Sequence, residues 1–332
     1  MKILFKDFVE LHRGYDLPKR SRKNGTIPVI ASTGIIGSHN ISKVLGPGVI
    51  TGRSGSIGKV NYVKSDFWPL NTTLYVSDFK NNNPKYVYYR LQTLSLGKFA
   101  SGSAVPTLNR NDLSELEISI HEKEEQNKIV AKLEPFEKKI ELNNQINDNL
   151  ATLKTSIFDK LFKNKMSSHL NGNLSNITII TSGKRPKKKF DNKSSVAKYP
   201  IVGASKIMGY TDRYLYNESI LTTGRVGTHG VIQRFRKPVW VSDNSFVFKT
   251  EHEDYLFEIL NNWIKYSALN RGSTQPLITQ TDLKNIDIYV PTKEEFYHFE
   301  SVVTPLTDQQ FSLISENDNL KKAKAALLSK LF

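Results

Sequence analysis

Two stretches of the sequence carry apolar residues at helical spacing. In residues 122–162 the apolar positions recur every three or four residues between Glu and Lys, and residues 292–332 repeat the pattern. We therefore predict two long amphipathic helices, each with a narrow apolar stripe that needs a partner of similar length. The two stripes comprise Ile129, Leu133, Phe136, Ile140, Leu150, Leu153, Ile157 and Leu161, and Phe296, Phe299, Val303, Leu306, Leu320, Ala323, Leu327 and Leu331.

The two helical stretches also match in sequence. The Asn-Asp-Asn-Leu of residues 147–150 recurs at 317–320, Pro135 recurs as Pro305, and the Lys-Leu-Phe of residues 160–162 recurs at 330–332. Because the match extends beyond periodicity, we interpret the helices as an intramolecular coiled-coil pair, antiparallel and related by pseudo-twofold symmetry.

Each helical stretch follows a block of short β-like runs separated by Gly and Pro. The first block has such runs at 27–30, 48–51, 59–63, 73–76 and 116–120, and one helical pattern at 84–96. The second block repeats it: residues 28–32 align with 200–205, residues 52–58 align with 224–230, and Trp68 aligns with Trp240. The predicted fold class is α+β, a tandem duplication of a β-rich domain followed by a long helix. The predicted boundaries are 1–121, 122–163, 164–291 and 292–332, with a polar linker at 163–173.

Composition indicates a class of binding partner. The formal net charge of +15 and pI near 9.6 favour a polyanion, nucleic acid before membrane, although a generally Lys-rich composition is an alternative. Cys is absent, which excludes a disulfide framework, a thiolate metal site and a thiol nucleophile. With neither a leader-like N-terminus nor an apolar run of membrane-spanning length, we expect a soluble cytoplasmic protein.

Arg53 and Arg225 follow glycine at equivalent places in the two repeats. A Gly-rich loop can bring an Arg fork and backbone N–H groups close to a phosphate or a guanine edge. A β-turn with an incidental Arg is the alternative, but the recurrence favours a functional contact. Ser54, Thr228 and His229 belong to the same loops and are predicted to contact DNA with them.

Further candidate DNA contacts lie in three other segments of each repeat. Basic loops near the start of each repeat suit phosphate contacts, although they could equally be solvated surface. The loops at 101–106 and 271–276 keep Gly, Ser and Pro, and Arg and Gln there can read base edges. The remaining predicted contacts are Arg20, Arg22, Lys23, Ser32, Thr33 and Ser103 in the first repeat, and Lys184, Arg185, Lys187, Lys188, Ser205, Lys206, Arg271, Ser273, Thr274 and Gln275 in the second.

Three segments of the sequence resemble known catalytic motifs, but the first two depart from their motif and the third lies in a predicted helix. Residues 52–59 resemble a phosphate-binding P-loop, but the spacing is too long and Val60 stands where Ser or Thr would bind magnesium. Asn83-Pro84-Lys85-Tyr86 resembles an adenine methyltransferase motif that Lys85 breaks. Glu137 and Lys139 match the Glu-x-Lys of many nucleases, but inside the predicted helix a solvated face is favoured. The scattered histidines predict no metal site.

Taken together, the motifs resemble the DNA specificity subunit of a Type I restriction–modification system over essentially the whole chain. The resemblance rests on residues 52–59 (Gly-Arg-Ser-Gly-Ser-Ile-Gly-Lys), 103–108 (Ser-Ala-Val-Pro-Thr-Leu), 118–129 and 147–150. It implies that each β-rich domain is a target recognition domain that reads one half of a bipartite, gapped DNA site.

The resemblance also implies a non-catalytic chain without a cofactor of its own. Two methylation subunits would dock on the helical spacers and use S-adenosylmethionine for adenine-N6 methylation. Restriction and translocase subunits would add ATP and Mg²⁺ chemistry. The alternatives are the recognition subunit of a Type IIG-like methyltransferase–nuclease and a nucleic-acid-binding scaffold unrelated to restriction.

Overall fold

The computed structural model describes residues 1–101, 106–271 and 277–332. The chain divides into two compact units. Unit 1 comprises Met1–Leu142 and Glu316–Phe332, and unit 2 comprises Asn143–Ser315. Each unit therefore combines one β-rich block with a segment of both long helices. The finer four-part division given above remains a prediction.

Unit 1 contains a four-stranded antiparallel sheet of order β2-β8-β5-β6 and a three-stranded sheet of order β4-β3-β7, in which β7 is parallel to β3. Two smaller sheets pair β1 with β11 and β9 with β10. The strands are β1 (Lys2–Leu4), β2 (Glu10–Arg13), β3 (Ile27–Ala31), β4 (Gly34–His39), β5 (Gly48–Gly52), β6 (Val60–Val63), β7 (Trp68–Pro69), β8 (Thr73–Asp78), β9 (Ala100–Ser101), β10 (Thr107–Leu108) and β11 (Glu117–Ser119).

Unit 2 repeats this topology, with sheets of order β13-β19-β16-β17 and β15-β14-β18 and a β12-β20 pair. Its register is also equivalent, since Trp68 pairs with Val29 in unit 1 and Trp240 pairs with Ile201 in unit 2. The strands are β12 (Gly172–Asn173), β13 (Ile179–Ser182), β14 (Tyr199–Val202), β15 (Ile207–Thr211), β16 (Ile220–Gly224), β17 (Gln233–Phe235), β18 (Trp240–Val241), β19 (Ser245–Lys249) and β20 (Asp287–Ile288).

The two long helices are α4 and α8. The α-helices are α1 (Phe5–Phe8), α2 (Pro84–Thr93), α3 (Asn111–Ser114), α4 (Lys123–Ser168), α5 (Glu253–Glu258), α6 (Tyr266–Leu269), α7 (Gln280–Lys284) and α8 (Lys293–Leu331), with 3₁₀ turns at Lys19–Ser21, Leu96–Phe99 and Leu174–Asn176 and a π-helical turn at Ile259–Trp263. Helix α2 begins where predicted because the Asn83 side chain accepts hydrogen bonds from the first-turn N–H groups and Pro84 needs no partner there. In the part of the chain that the structure describes, no helix combines the length and apolarity needed to cross a membrane.

Helix α4 ends at Ser168, so the linker prediction is wrong for residues 163–168. The extra helical turn is stabilised because Met166 is buried in the core of unit 2. That core gathers aromatic and aliphatic side chains from both long helices and from α5, including Phe158, Phe162 and Tyr255. Helical length is here decided by tertiary packing rather than by local propensity.

The prediction of which α4 residues are buried is also wrong in part. Ile129 and Leu133 are fully buried as expected, but Leu153 is 47% exposed and its neighbour Lys154 is buried. Lys154, Phe158 and Phe162 are spaced by four residues and share one helix face, which turns toward the core of unit 2. The burial of that aromatic face carries Lys154 inward with it.

Polar junctions join each β-rich block to the long helices. In unit 1 the Glu137 carboxylate of α4 lies 2.6 Å from Lys85 Nζ of α2 and 2.5 Å from Lys324 Nζ of α8, and the Tyr89 hydroxyl donates to it at 3.1 Å. Burial alone would raise the pKa of Glu137, but hydrogen bonds from Lys324 and Lys85 outweigh it and lower the pKa. Glu137 is therefore part of a half-buried ion cluster, and the prediction of a solvated face is wrong for it.

The equivalent junction in unit 2 has a different charge arrangement. Asp254 of α5 accepts hydrogen bonds from Thr307 at 2.6 Å and Thr304 at 2.9 Å, and pairs with Arg234 at 2.7 Å. Thr307 in turn accepts a hydrogen bond from Lys154 Nζ at 3.0 Å. Burial opposes ionisation of Asp254, yet the Arg234 charge and these hydroxyl donors hold its pKa below the usual range.

Candidate nucleic-acid interface

The Gly-Arg loop of unit 1 follows strand β5 and closes tightly on itself. The Gly52 N–H donates to the Lys59 carbonyl at 3.0 Å, and the Gly58 N–H donates to the Gly52 carbonyl at 3.1 Å. A Cβ on Gly52 would lie 2.0 Å from the Ser56 carbonyl oxygen, and Gly55 and Gly58 have φ of +76° and +75°. Glycine is thus required by loop closure and by left-handed backbone conformations, whatever the loop contacts.

The loop after strand β16 in unit 2 is built the same way. A Cβ on Gly224 would lie 1.9 Å from the Thr228 carbonyl oxygen, and Gly227 and Gly230 have φ of +80° and +75°. Thr228 is exposed, while His229 is partly buried with its Nδ1 3.2 Å from the Gly224 carbonyl. The duplicated sequence motif therefore encodes a duplicated backbone shape.

The backbone holds the two arginines in equivalent ways. The Arg53 N–H donates to the Thr72 carbonyl at 2.9 Å, and the Arg53 carbonyl accepts from the Leu108 N–H at 2.8 Å. Arg225 donates to the Asn244 carbonyl at 2.8 Å and accepts from the Ile278 N–H at 3.1 Å.

The two arginine side chains are held differently from their backbones. Neither guanidinium makes a hydrogen bond or ion pair within residues 1–101, 106–271 and 277–332. Arg53 is partly exposed and Arg225 is exposed. Because the backbone is fixed and no described residue pairs with the guanidinium, each Arg fork can pair with a planar acceptor such as a phosphate or a guanine edge.

A β-hairpin packs against each Gly-Arg loop. In unit 1, Ser32 at the β3–β4 turn is only 7% exposed, and a Cβ on Gly55 would lie 3.3 Å from its hydroxyl. Its burial gives Ser32 a role in packing the hairpin on the loop, which does not fit the predicted DNA contact. The neighbouring Thr33 is exposed, and its carbonyl accepts a hydrogen bond from Lys59. Ser54 is partly exposed and pairs with Thr107 in an isolated β-bridge.

The corresponding turn in unit 2 contains Ala204, whose Cβ would lie 2.7 Å from a Cβ on Gly224. Ser205 and Lys206 follow it and are exposed. The hairpin turn and the Gly-Arg loop therefore form one continuous surface in each unit.

The basic loops of both units expose most of their cationic side chains. Arg20 and Lys23 are exposed, whereas Arg22 is partly buried. In unit 2 the exposed basic residues are Lys184, Arg185, Lys187, Lys188 and Lys189. Lys184 is anchored because its N–H donates to the Val241 carbonyl at 2.9 Å and its carbonyl accepts from the Trp240 indole at 2.6 Å. Lys188 is partly neutralised by Asp212 at 3.5 Å.

In unit 2 the basic loop, the hairpin and the Gly-Arg loop meet around the turn at 242–244. A groove there is lined by Arg185, Pro186, Lys187, Lys189, Ile201, Met208, Ser242, Asp243 and Asn244. Asn244 also supplies the carbonyl that holds Arg225. The sequence did not lead us to predict this turn, although the three polar residues directly after the Trp240 strand, Ser242, Asp243 and Asn244, were a usable signal.

The third predicted loop is only partly accounted for. Ser103, Ser273, Thr274 and Gln275 lie outside the described residues. Arg271 is exposed, and its guanidinium forms an ion pair with Asp282. The pKa of Asp282 is lowered chiefly by the hydrogen bond from the Thr279 hydroxyl, with Arg271 adding to the effect. Arg271 therefore already has a carboxylate partner, whereas the described part of the chain supplies none to Arg53 or Arg225.

Comparisons with known proteins agree with this duplicated architecture. A family model described as the Type I restriction modification DNA specificity domain matches residues 2–152 and again residues 171–317. The specificity subunit of the Type I restriction enzyme MjaIX from Methanocaldococcus jannaschii is 25% identical over an alignment 330 positions long, which covers 82% of this chain and 74% of that protein. The crystal structure of the S subunit of a Type-I restriction-modification system from M. genitalium superposes with a TM-score of 0.63 at 19% identity, covering 100% of this chain and 96% of that one. The predicted tandem α+β duplication is thereby confirmed.

Proposed function

This chain belongs to the family of Type I restriction modification DNA specificity proteins, and on that basis we propose that it reads a bipartite, gapped DNA site with one recognition domain on each half. As a specificity subunit it is a non-catalytic component of its restriction–modification system. The observation that best supports two-part reading is the pair of Gly-Arg loops. They share backbone shape and anchoring, yet the residues between their glycines differ, with Ser54, Ser56 and Ile57 in the first loop and Val226, Thr228 and His229 in the second.

The side chains on the two surfaces suit two kinds of DNA contact, those that position the protein on the backbone and those that read the bases. The exposed basic loops, such as 184–189, suit contacts to phosphate oxygens, which add affinity without sequence information. Arg53 and Arg225 suit bidentate hydrogen bonds to guanine O6 and N7, which discriminate between bases by about 1–3 kcal/mol. Because the framework is common and the neighbouring residues differ, the two domains would recognise different half-sites.

The long helices would set the distance between the half-sites. We propose that α4 and α8 pair along their length as an antiparallel coiled coil around a pseudo-twofold axis. Two half-sites separated by about one turn of DNA, roughly 34 Å, could then be read from one face. The same helices would dock two methylation subunits. The assembled complex would use S-adenosylmethionine for adenine methylation, with restriction and translocase subunits requiring ATP and Mg²⁺.

Arg53→Ala and Arg225→Ala test this function because each variant is the other's control. The genomic target would first be identified by mapping methylated adenines with and without the gene. Binding of the chain with its methylation subunits would then be measured on DNA altered in one half-site at a time. We expect each variant to lose discrimination at one half-site, by about 1–3 kcal/mol, and to keep the other.

Two results would count against this function. Equal weakening on all sequences, with a salt slope lower by about one, would identify phosphate contacts and remove the arginines from base reading. A folded pair of variants with unchanged affinity and unchanged half-site preference would remove the Gly-Arg loops from the interface altogether.

A further inference from the structure

The two hairpins beside the Gly-Arg loops each expose consecutive large apolar residues. Ile35 and Ile36 of β4 are 68% and 42% exposed, and Ile207 and Met208 of β15 are 49% and 39% exposed. The positions are equivalent, since Ile35 pairs with Ile30 in β3 and Ile207 pairs with Val202 in β14. Both strands lie at the edge of their three-stranded sheets.

An exposed apolar edge strand is a liability unless a partner covers it. Neighbouring side chains on a strand point to opposite faces of its sheet. Ile36 and Met208 therefore lie on equivalent faces of their two sheets, and Ile35 and Ile207 lie on the opposite faces. Ile35 lies in a groove of unit 1 that contains Tyr62 and Glu137 and so faces the helical side of its unit. The exposure of Ile36 and Met208 on the other face still needs an explanation.

Cations surround this second face in unit 2. Met208 lines the groove with Arg185, Lys187 and Lys189, and Asp243 is the single carboxylate among the described residues that line it. Ile36 holds the equivalent position in unit 1. A second copy of this chain, with its net charge of +15, would be repelled from such a surface, whereas a polyanion would be attracted.

An aliphatic side chain cannot bind the phosphates of that polyanion. The apolar group that DNA presents beside its readable base edges is the 5-methyl group of thymine in the major groove. We propose that Ile36 and Met208 each contact a thymine methyl group, one in each half-site. This inference rests on the proposed function, because it assumes that the hairpins face DNA. The Gly-Arg loop would read guanine while the adjoining strand reads thymine.

Replacing thymine by uracil, one position at a time, tests the contact directly because uracil lacks only that methyl group. Binding would be measured with the chain in complex with its methylation subunits. For the wild type we expect one uracil position in the second half-site to weaken binding about three- to tenfold. Met208→Ala should weaken binding to thymine DNA by a similar factor and be insensitive to uracil at that position. Met208→Leu should keep the sensitivity, and Ile36→Ala should show the same loss only in the first half-site.

The outcomes separate this inference from the proposed function. If the wild type does not distinguish the half-sites from altered DNA, the proposed function fails. If it distinguishes them but no uracil position matters, or if the half-site contains no thymine, the methyl contact is overturned while the function stands. Loss of methylation-subunit binding in Met208→Ala, with DNA discrimination intact, would instead identify the strand as a protein interface and overturn the proposal.

Discussion

Exchanging the junction charges of unit 1 for those of unit 2 tests how the recognition domains are seated on the long helices. Lys85 and Asp254 are equivalent, since each precedes the buried tyrosine of its helix, and Glu137 and Thr307 both follow the helical proline by two residues. Lys324 is equivalent to Lys154. The perturbation is therefore Glu137→Thr, alone and together with Lys85→Asp, which recreates the Asp-Thr-Lys arrangement of the second junction.

The magnitude follows from the burial of the cluster. The side chains of Lys85, Lys324 and Glu137 are 13%, 16% and 20% exposed. Removing one partner of a fully buried ion pair costs about 3–5 kcal/mol, so Glu137→Thr should cost unit 1 about 2–4 kcal/mol by leaving two lysines to repel each other. Lys85→Asp should also destabilise the wild type, because it places a second carboxylate beside Glu137. In the Glu137→Thr background the same change should recover about 1–3 kcal/mol.

Urea unfolding followed by hydrogen exchange would measure each unit separately, with peptides from unit 2 as an internal reference. Glu141→Thr is the matched control, because Glu141 lies one turn along α4 and pairs with Lys64 in an exposed ion pair at 3.0 Å. We expect this control to cost less than about 1 kcal/mol. Equal costs for Glu137→Thr and Glu141→Thr, or no recovery in the double variant, would refute the reasoning from the buried cluster.

Three further predictions follow from named contacts. Because folding lowers the pKa of Glu137, ionised Glu137 stabilises unit 1 above its ordinary pKa of 4.5, and this stabilisation is lost as the pH falls through the lowered pKa. Hydrogen exchange measured from pH 6 to pH 3 should show the loss of stability. The Glu137→Gln variant should show a smaller loss over the same range. Asp254→Ala should destabilise unit 2 by about 3–5 kcal/mol in urea unfolding because it leaves Arg234 buried without its closest carboxylate, whereas Lys154→Met should change stability by about 1 kcal/mol or less. Gly227→Ala should lower the free energy of unfolding by about 1–2 kcal/mol because of the positive φ at that position. Gly224→Ala should lower it further, because the new Cβ would collide with the Thr228 carbonyl oxygen. Thermal unfolding that ranked the two variants the other way would contradict the loop geometry.

The duplicated architecture and the loop motifs could be predicted from the sequence. Helical and strand periodicities follow from backbone geometry, so the strands of both blocks and the existence of two long helices were readable without a structure. The Gly-Arg loops were readable because Gly55, Gly58, Gly227 and Gly230 adopt left-handed conformations that other residues avoid. These features depend on residues close together in the chain, or on a comparison between its two halves.

Only the tertiary structure decided which faces and which charges are buried. Local pattern favoured Leu153 as a core residue and Glu137 as a solvated one, and both expectations were wrong. The burial of Phe158 and Phe162 turns the helix so that Lys154 is inside, and Lys85 and Lys324 reach Glu137 from segments distant in the chain. A polar residue can be buried wherever distant residues supply its hydrogen bonds and opposite charge, and those partners are brought to it only by the folded chain.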